Sequence, residues 1–165
     1  MCIRERREGF EDNCMIIARY EGPRGAPGMP EMLDPPARIT TLCRERGIII
    51  ALMTDARFSG GSIGLVIGHV GPEAALGGPI AFVENGDEIV VDLNLNEINC
   101  TALSDPAILD VRKAAWDKVV ADNGGFHPSA GVADTRPLQR ARHMAVPARL
   151  WACLHRNQPG WGRNP

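Results

Sequence analysis

The sequence predicts a β-rich α/β domain in which a small β-barrel or curled sheet of short strands is flanked by helices. Three observations lead to this prediction. Residues 48–54 form a continuous apolar run, which is the pattern of a strand buried on both faces. Four short apolar runs follow it, separated by glycine, proline and asparagine turns, as in curled sheets and barrels. After residue 103 the apolar spacing changes to the period of a helix.

The part of the chain before the buried run predicts a strand, a loop and a helix. The strand is expected at residues 14–20, after a charged segment without a clear period. Residues 21–30 contain three glycines and three prolines, which excludes helix and central strand and leaves either a flexible or a rigidly shaped loop. A helix is predicted over residues 31–46, with two prolines in its early part and Gly47 at its end.

The part after the buried run predicts four strands and two helices. The strands are expected at residues 63–69, 79–83, 88–93 and 95–100, with Asn85-Gly86 as a hairpin signal. A helix begins at Ser104 or Asp105, either of which can cap it, and ends at residues 123–125. A shorter helix is predicted at residues 135–144. The longer helix has one apolar face, made of Ile108, Val111, Ala115 and Val119.

The composition excludes several classes of protein. A length of 165 residues is that of one domain. The 20 acidic and 18 basic residues are interleaved, so we expect no basic surface for nucleic acid. No apolar run approaches the roughly 18 residues of a membrane span, and the charged N-terminus lacks a secretory core, so we expect a cytoplasmic protein. The five cysteines are scattered, which predicts isolated thiols rather than disulfides or a zinc site.

The chain is expected to have four parts. They are a charged segment at 1–12, a β-barrel core with the candidate catalytic loops at 13–103, a helical extension at 104–147 and an irregular tail at 148–165.

The first candidate site is the polar turn that follows the buried strand. Ser59, with Gly60 and Gly61 behind it, would serve as a nucleophile, a base or an anion-contacting hydroxyl. Backbone N–H groups of the turn would bind an oxyanion or carboxylate. The structural alternative is an ordinary turn whose hydroxyls bond to their own backbone. The turn does not have the G-x-S-x-G pattern, so serine hydrolase chemistry is not predicted.

Two further residues are weaker candidates. Glu31 stands at the exit of the glycine- and proline-rich loop, where a carboxylate would suit Mg²⁺. Its alternative is an acid that the dipole of the following helix favours. His69 ends a predicted strand, and a single histidine without a neighbouring ligand is more often a hydrogen-bonded structural group.

Four blocks of the sequence resemble the C-terminal signature of the dihydroxy-acid dehydratase and 6-phosphogluconate dehydratase family. They are GMPEML at 28–33, ALMTDARFSGGS at 51–62, GHVGPEA at 68–74 and GGPI at 77–80. The similarity covers about residues 10–147 and implies a small β-barrel like the swivelling domain of aconitase-type enzymes. The sequence from residue 105 to 136 resembles more specifically the sugar-acid branch, the D-xylonate-type dehydratases.

The resemblance implies a hydro-lyase that converts a 2,3-dihydroxy carboxylate into a 2-keto acid. Ser59, as its alkoxide, would be the base that removes the C2 proton, and Glu31 would be a ligand of Mg²⁺. An iron–sulfur cluster, expected to be 2Fe–2S, would act as Lewis acid on the C3 hydroxyl. A serine ionises only beside strong positive charge, which two metal centres can supply. We infer that Gly60, Gly61 and Ser62 hold the substrate carboxylate.

The resemblance also implies that half of the site lies outside this chain. In the family the cluster cysteines, the aspartate ligands of Mg²⁺ and a carbamoylated lysine belong to a large N-terminal domain. We therefore expect the chain to be inactive alone and to need that domain as its partner, in an enzyme that is a homo-oligomer. Residues 149–165 depart from the family pattern, which a truncated or frame-altered terminus would explain.

Three alternatives stay open at this point. The chain would be part of a branched-chain biosynthetic dihydroxy-acid dehydratase, or a non-catalytic assembly module of a split dehydratase. The third alternative is a generic anion-binding site in an unrelated barrel.

Overall fold

Two separate sheets and three α-helices make up the described part of the chain. The computed structural model describes residues 13–29, 34–60, 62–95, 97–131 and 135–146. The strands are β1 (Cys14–Ala18), β2 (Ile50–Thr54), β3 (Val66–Ile67), β4 (Ile89–Asp92) and β5 (Glu97–Cys100). The helices are α1 (Asp34–Arg46), α2 (Pro106–Asp122) and α3 (Arg136–Met144), with 3₁₀ helices at Ala74–Leu76, Pro79–Phe82 and Thr101–Ser104.

The first sheet contains three parallel strands in the order β1-β2-β3. β1 and β2 pair along their whole lengths, from Cys14 opposite Ile50 to Ala18 opposite Thr54. Helix α1 lies between them in the chain, as the crossover between parallel strands requires. All five residues of the central strand β2 are buried, which confirms the prediction from its apolar run.

The two faces of β2 pack against different helices. Leu52 lies in one apolar cluster with Ile39 of α1. The next residue, Met53, points to the opposite face and belongs to a second cluster, which includes Phe82 and, packed against it, Trp116 of α2. The sheet therefore lies between α1 and α2, in an α/β arrangement.

The second sheet is the antiparallel hairpin of β4 and β5, with Ile89 opposite Cys100 and Asp92 opposite Glu97. The carboxylate of Asp87, just before β4, accepts hydrogen bonds from the Arg112 guanidinium of α2, one of them 3.0 Å long. Arg112 also donates to the carbonyl oxygen of Phe82 at 3.0 Å. This one side chain of α2 therefore joins the hairpin to the helix and to the core.

The predicted helices are present, and their ends follow the expected chemistry. Asp105 caps α2 by accepting a hydrogen bond from the N–H of Ala107 at 2.9 Å, and Asn123 follows the last residue of the helix. Thr135 caps α3 by accepting from the N–H of Leu138.

The prediction of a strand at residues 79–83 is wrong, because Pro79–Phe82 is a 3₁₀ helix. The carbonyl oxygens in and directly after this helix do not need a sheet partner, since the Arg19 guanidinium donates to those of Ala81, at 2.8 Å, and Val83. Asn85 and Gly86 consequently form a turn that does not connect two paired strands, so the hairpin expected there is also wrong. The strand expected at residues 63–69 is reduced to Val66–Ile67.

The apolar face predicted for α2 is not the face that packs on the core. Val111 is 70% exposed and Ile108 38% exposed, and Ala115 is exposed as well. The helix turns Leu109, Arg112 and Trp116 inward instead. The ion pair of Arg112 and the packing of Trp116 decide its rotation, so apolar spacing alone indicated the wrong stripe.

Several other predictions meet the structure only in part. The strands of the described residues form two separate sheets and no closed barrel, so the β-barrel is not confirmed. Among the described residues, Cys14, Cys43 and Cys100 take part in no disulfide. Within the same residues, no helix has the length and apolarity that crossing a membrane needs. The charged segment 1–12, the start of the predicted helix at 31–33 and the tail 148–165 lie outside the described residues.

Replacement of Asp87 by Asn tests the link between the hairpin and α2. Arg112 holds the pKa of Asp87 at about 2, below its usual value of 3.8, so the ionised carboxylate stabilises the folded state. This contribution is present above pH 4 and is lost as the pH falls towards 2. We expect Asp87→Asn to lower the free energy of unfolding by about 1 kcal/mol at pH 7.

Urea unfolding of both proteins at pH 7, 4 and 2.5 measures this difference. It should persist at pH 4 and shrink at pH 2.5, whereas Asp117→Asn, on the exposed surface of α2, should have no effect. A constant difference across this range would contradict the assignment to the ionised carboxylate.

Candidate functional site

Three segments meet where the three parallel strands end. The carboxyl ends of parallel strands lie at one edge of a sheet, where α/β proteins bind ligands. Here the segments are residues 19–29 after β1, 55–62 after β2 and 68–73 after β3, which we name the glycine–proline loop, the serine turn and the histidine segment. Each contains part of a block on which the family resemblance depends.

Asp55, the first residue of the serine turn, holds these segments together. Its side chain is completely buried, and its carboxylate accepts hydrogen bonds from the backbone N–H groups of Tyr20 and Glu21, both at 3.1 Å. It accepts a third from the N–H of Ala74, at 2.9 Å. One carboxylate therefore connects the serine turn to the start of the glycine–proline loop and to the residue after the histidine segment.

A second buried carboxylate fixes the middle of the glycine–proline loop. Glu73, only 2% exposed, accepts from the N–H of Arg24 at 3.0 Å and from that of Gly25 at 3.2 Å. Burial raises the pKa of Glu73 above its usual value, and the two N–H donors oppose part of this shift. Burial and the charge of Asp55 raise the pKa of Glu21 in the same way. The edge therefore contains two buried carboxyl groups, those of Asp55 and Glu73, that backbone N–H groups hold in place.

The glycines of this loop are needed for close approach. A Cβ atom on Gly22 would collide with the carboxylate of Glu73, and one on Gly25 with the carbonyl group of Tyr20. Tyr20 itself has a φ of 68°, a left-handed conformation that non-glycine residues rarely adopt. Of the two alternatives for the loop, these contacts favour the rigidly shaped one.

Aromatic rings pack against Tyr20, near the start of the glycine–proline loop. The Trp116 indole N–H donates to the Tyr20 hydroxyl at 3.1 Å, and the rings of Tyr20 and His127 stack with centroids 4.4 Å apart. Burial raises the pKa of Tyr20, whereas burial and then the charge of Arg19 lower that of His127. Both side chains are therefore held in their neutral forms, and they pack as a stack rather than as a proton relay.

Helix α3 covers the far side of the glycine–proline loop. Arg142, 8% exposed, donates to the carbonyl oxygens of Gly25, at 3.2 Å, and Gly131. In return, the Nε of Arg24 donates to the carbonyl oxygen of Ala145 at 3.1 Å. Between the loop and the helix lies a cavity of about 370 Å³. Its lining is mostly apolar and consists of Pro23, Pro27, Gly28, Met29, Ala141, Met144, Ala145 and Val146.

The structure brings Ser59, Gly60 and Ser62 together in the serine turn. The N–H of Ser62 donates to the carbonyl oxygen of Ser59 at 3.1 Å, which closes the turn. Ser59 is half-buried, and Gly60 is exposed with open space where a side chain would stand. The Oγ of Ser62 is buried and has no hydrogen-bond partner among the described residues. Gly61 lies outside those residues.

Glu31, the predicted Mg²⁺ ligand, lies outside the described residues. The glycine–proline loop, whose last described residue is Met29, leads directly to it. His69 is exposed and has a φ of 57°, and its backbone N–H donates to the carbonyl oxygen of Ala56 at 2.7 Å. The histidine segment is thus joined to the serine turn through its backbone.

The described residues do not form a metal site. No group of three or more His, Cys, Asp or Glu side chains among them could hold an ion. The carboxylates of Asp55 and Glu73 are already occupied by backbone N–H groups. This part of the chain therefore fits neither an iron–sulfur cluster nor a complete Mg²⁺ site.

Sequence reasoning missed the importance of Asp55 and Glu73. Both stood inside the quoted blocks, without a role of their own. The available signal was an acidic residue directly after a fully apolar strand, where a carboxylate is buried unless the chain turns sharply. Two of the three donors that satisfy Asp55 come from a loop more than thirty residues away and the third from Ala74, which the sequence could not show.

The chain matches a family model described as dihydroxy-acid/6-phosphogluconate dehydratase C-terminal, over residues 3–146. The match covers most of the chain and includes all the segments at the edge of the sheet. The chain therefore belongs to this family of C-terminal dehydratase domains, and dehydratases are hydro-lyases.

Similar curated proteins carry the name dihydroxy-acid dehydratase. The relative from Methanospirillum hungatei is 50% identical over 113 residues, which are 68% of this chain and 19% of that protein. Those from Methanoregula boonei and Saccharomyces cerevisiae, the latter named as mitochondrial, are 51% and 50% identical over 105 residues, which are 64% of this chain. The matches span less than a fifth of each relative. These names do not support the predicted D-xylonate-type branch.

The glycine–proline loop can be tested by adding one methyl group. We expect Gly25→Ala to lower the free energy of unfolding by more than about 2 kcal/mol, because its Cβ would meet backbone atoms that cannot move away. The matched control is Gly131→Ala, whose Cβ would make only ordinary contacts of 3.5 Å or more, and it should cost less than about 0.5 kcal/mol. Urea unfolding measures both, and equal effects would show that the loop is not packed as described.

Proposed function

We propose that this chain is the C-terminal part of a dihydroxy-acid dehydratase, which removes water from a 2,3-dihydroxy carboxylate and forms a 2-keto acid. The family match supports the class of enzyme. One observation supports locating the active site at this edge of the sheet: Asp55 attaches the serine turn to the glycine–proline loop. The same carboxylate also accepts from the N–H of Ala74, and this contact joins two of the family's sequence blocks at one edge of the sheet.

Within this proposal Ser59 is the base that takes the proton from C2. Its hydroxyl belongs to a turn closed by its own carbonyl oxygen, which restricts its position. The N–H of Ser62 is occupied by that turn, but the buried Ser62 Oγ has no partner among the described residues. A polar ligand atom would satisfy this hydroxyl, and we assign it to the substrate carboxylate, together with the N–H groups of Gly60 and Gly61.

The iron–sulfur cluster and the Mg²⁺ ion of the family belong to the proposal. Because the described residues do not fit a cluster or a complete Mg²⁺ site, we assign both groups mainly to the rest of the enzyme. Glu31 is proposed as the one Mg²⁺ ligand from this chain. The β-barrel, the cytoplasmic location and the homo-oligomer also stay predictions.

The substrate is proposed from the names of the relatives. All three are named dihydroxy-acid dehydratase, which favours 2,3-dihydroxyisovalerate over D-xylonate. The sugar-acid alternative predicts the opposite preference in an assay that supplies both compounds.

A non-catalytic assembly module is a second candidate, favoured by exposed apolar side chains. Ile63 is 68% exposed directly beside the serine turn, and Leu93 and Leu95 in the hairpin are 75% and 66% exposed. Leu93 and Leu95 stand two residues apart, and exposed apolar residues that adjoin one another mark surfaces that bind another protein. An active dehydratase also needs such a surface for its remaining part, so only activity separates the two candidates.

The experiment replaces the matching segment of the Methanospirillum hungatei relative with this chain and measures 2-keto acid from 2,3-dihydroxyisovalerate and D-xylonate. We expect activity with the first compound, and none from the chain alone. Ser59→Ala should lower kcat by about 10³-fold, the scale of general-base catalysis. The matched control is Ser129→Ala, an exposed serine whose backbone N–H donates to the Nδ1 of His127, and it should be fully active.

Two results would overturn the proposal. We call the relative that carries this chain in place of its own matching segment the joined enzyme. One such result is a soluble joined enzyme, loaded with its cluster, that turns over neither compound, which would favour the assembly module. The other is full activity of Ser59→Ala, which would remove Ser59 from the chemistry even if the class of enzyme is right.

A further inference from the structure

The two buried carboxylates at the edge of the sheet have no role in the function proposed above. Asp55 stands four residues before Ser59 in the chain, and Glu73 stands at the end of the histidine segment. A buried carboxylate is costly unless its oxygens are satisfied, so such a residue needs a reason to be present. Metal ligand, general base and positioning residue are the three roles that its chemistry allows.

We propose that Asp55 and Glu73 are positioning residues, which hold the glycine–proline loop against the serine turn and take no part in metal binding or proton transfer. The use of their oxygens supports this role. Both oxygens of Asp55 accept backbone N–H groups, Oδ2 from Tyr20 and Ala74 and Oδ1 from Glu21. A carboxylate with these three donors in a completely buried position is not exposed to substrate or solvent.

Positioning by Asp55 acts on both sides of the proposed site. Its backbone leads into the serine turn, so the position of Asp55 limits where Ser59 can lie. Its carboxylate fixes Tyr20 and Glu21, the start of the loop that leads to Glu31. Glu73 continues the contact at Arg24 and Gly25 in the middle of the loop. A loosened contact would displace the two proposed chemical groups relative to each other.

The two carboxylates differ in a way that an amide replacement can reveal. In Asp55→Asn only one oxygen remains. The three N–H donors are divided between the two oxygen positions of Asp55, so the new NH₂ group must face at least one of these donors and that hydrogen bond is lost. In Glu73→Gln an oxygen at the Oε2 position still accepts from both Arg24 and Gly25, at 3.0 and 3.2 Å, and only the longer second contact of the Arg24 N–H with Oε1, at 3.3 Å, is lost. The same chemical change should therefore harm the first site strongly and the second only slightly.

Hydrogen exchange on the chain itself tests the contact without any assay of activity. In Asp55→Asn we expect at least one of the amides of Tyr20, Glu21 and Ala74 to exchange about tenfold faster or more, as follows from losing a charge-assisted hydrogen bond. The amides of α2 should keep their rates, since only the loop is released. Glu73→Gln and the exposed control Asp110→Asn should both resemble the wild type.

The joined enzyme then tests the consequence for catalysis, and this step rests on the proposed function. We expect Asp55→Asn to lower kcat by about 10²-fold, the scale of an ångström-sized displacement. The KM, the metal content and the shape of the pH profile should change little, and Glu73→Gln should keep kcat within about threefold of the wild type. A base or a metal ligand would instead alter the pH profile or the metal content.

The outcomes separate the two proposals. Faster exchange in the loop and a lower kcat support positioning, whereas unchanged exchange, a lost limb of the pH profile or lost metal overturns it. Equal acceleration throughout α2 also overturns it, because the effect is then one of global stability. If Asp55→Asn does not fold, Glu73→Ala against Glu73→Gln applies the same test to Arg24 and Gly25. An inactive wild-type joined enzyme contradicts the proposed function and leaves the exchange result standing.

Discussion

The buried carboxylate of Asp55 is the constraint on which the described structure depends. A carboxylate that is completely removed from water must find its hydrogen bonds inside the protein. Here the donors are three backbone N–H groups from two segments that are distant in the sequence. Because those donors belong to Tyr20, Glu21 and Ala74, the paths of the glycine–proline loop and of the chain after the histidine segment are determined by one side chain of the serine turn.

The parallel sheet makes this contact geometrically simple. β1, β2 and β3 run in one direction, so their following segments leave the sheet at the same edge without long connections. The loop then needs glycines where it passes over the Glu73 carboxylate and over its own backbone. Outside the loop, Trp116 and Arg142 hold it from two helices. The helical extension after residue 103 thereby contributes to the shape of the edge, although it contains no candidate catalytic residue.

Local patterns predicted the elements whose partners are close in sequence. The apolar run of β2 and the capping residue Asp105 predict their own elements from local sequence, and the structure contains both. The failures come from long-range contacts of single side chains. Arg19 satisfies the carbonyl oxygens of a segment about sixty residues away, so the expected strand becomes a 3₁₀ helix. The family blocks are short sequence motifs, and they were enough to locate the serine turn. The role of Asp55 could not be predicted from them, because it depends on N–H donors in other segments of the chain.

The internal hydrogen bonds of the edge bear on how a divided site would assemble. If a loop becomes ordered only when its partner docks, the free-energy cost of ordering the loop weakens the binding. In this chain Asp55, Glu73 and Arg142 order the glycine–proline loop through contacts within the chain itself. The same reasoning explains why the carboxylates are held by backbone donors: a side-chain cation could be drawn away by an incoming anionic substrate, whereas an N–H group of the loop cannot leave without moving the loop. A preorganised edge would therefore keep its shape in the presence of the charged carboxylate that the proposed reaction requires.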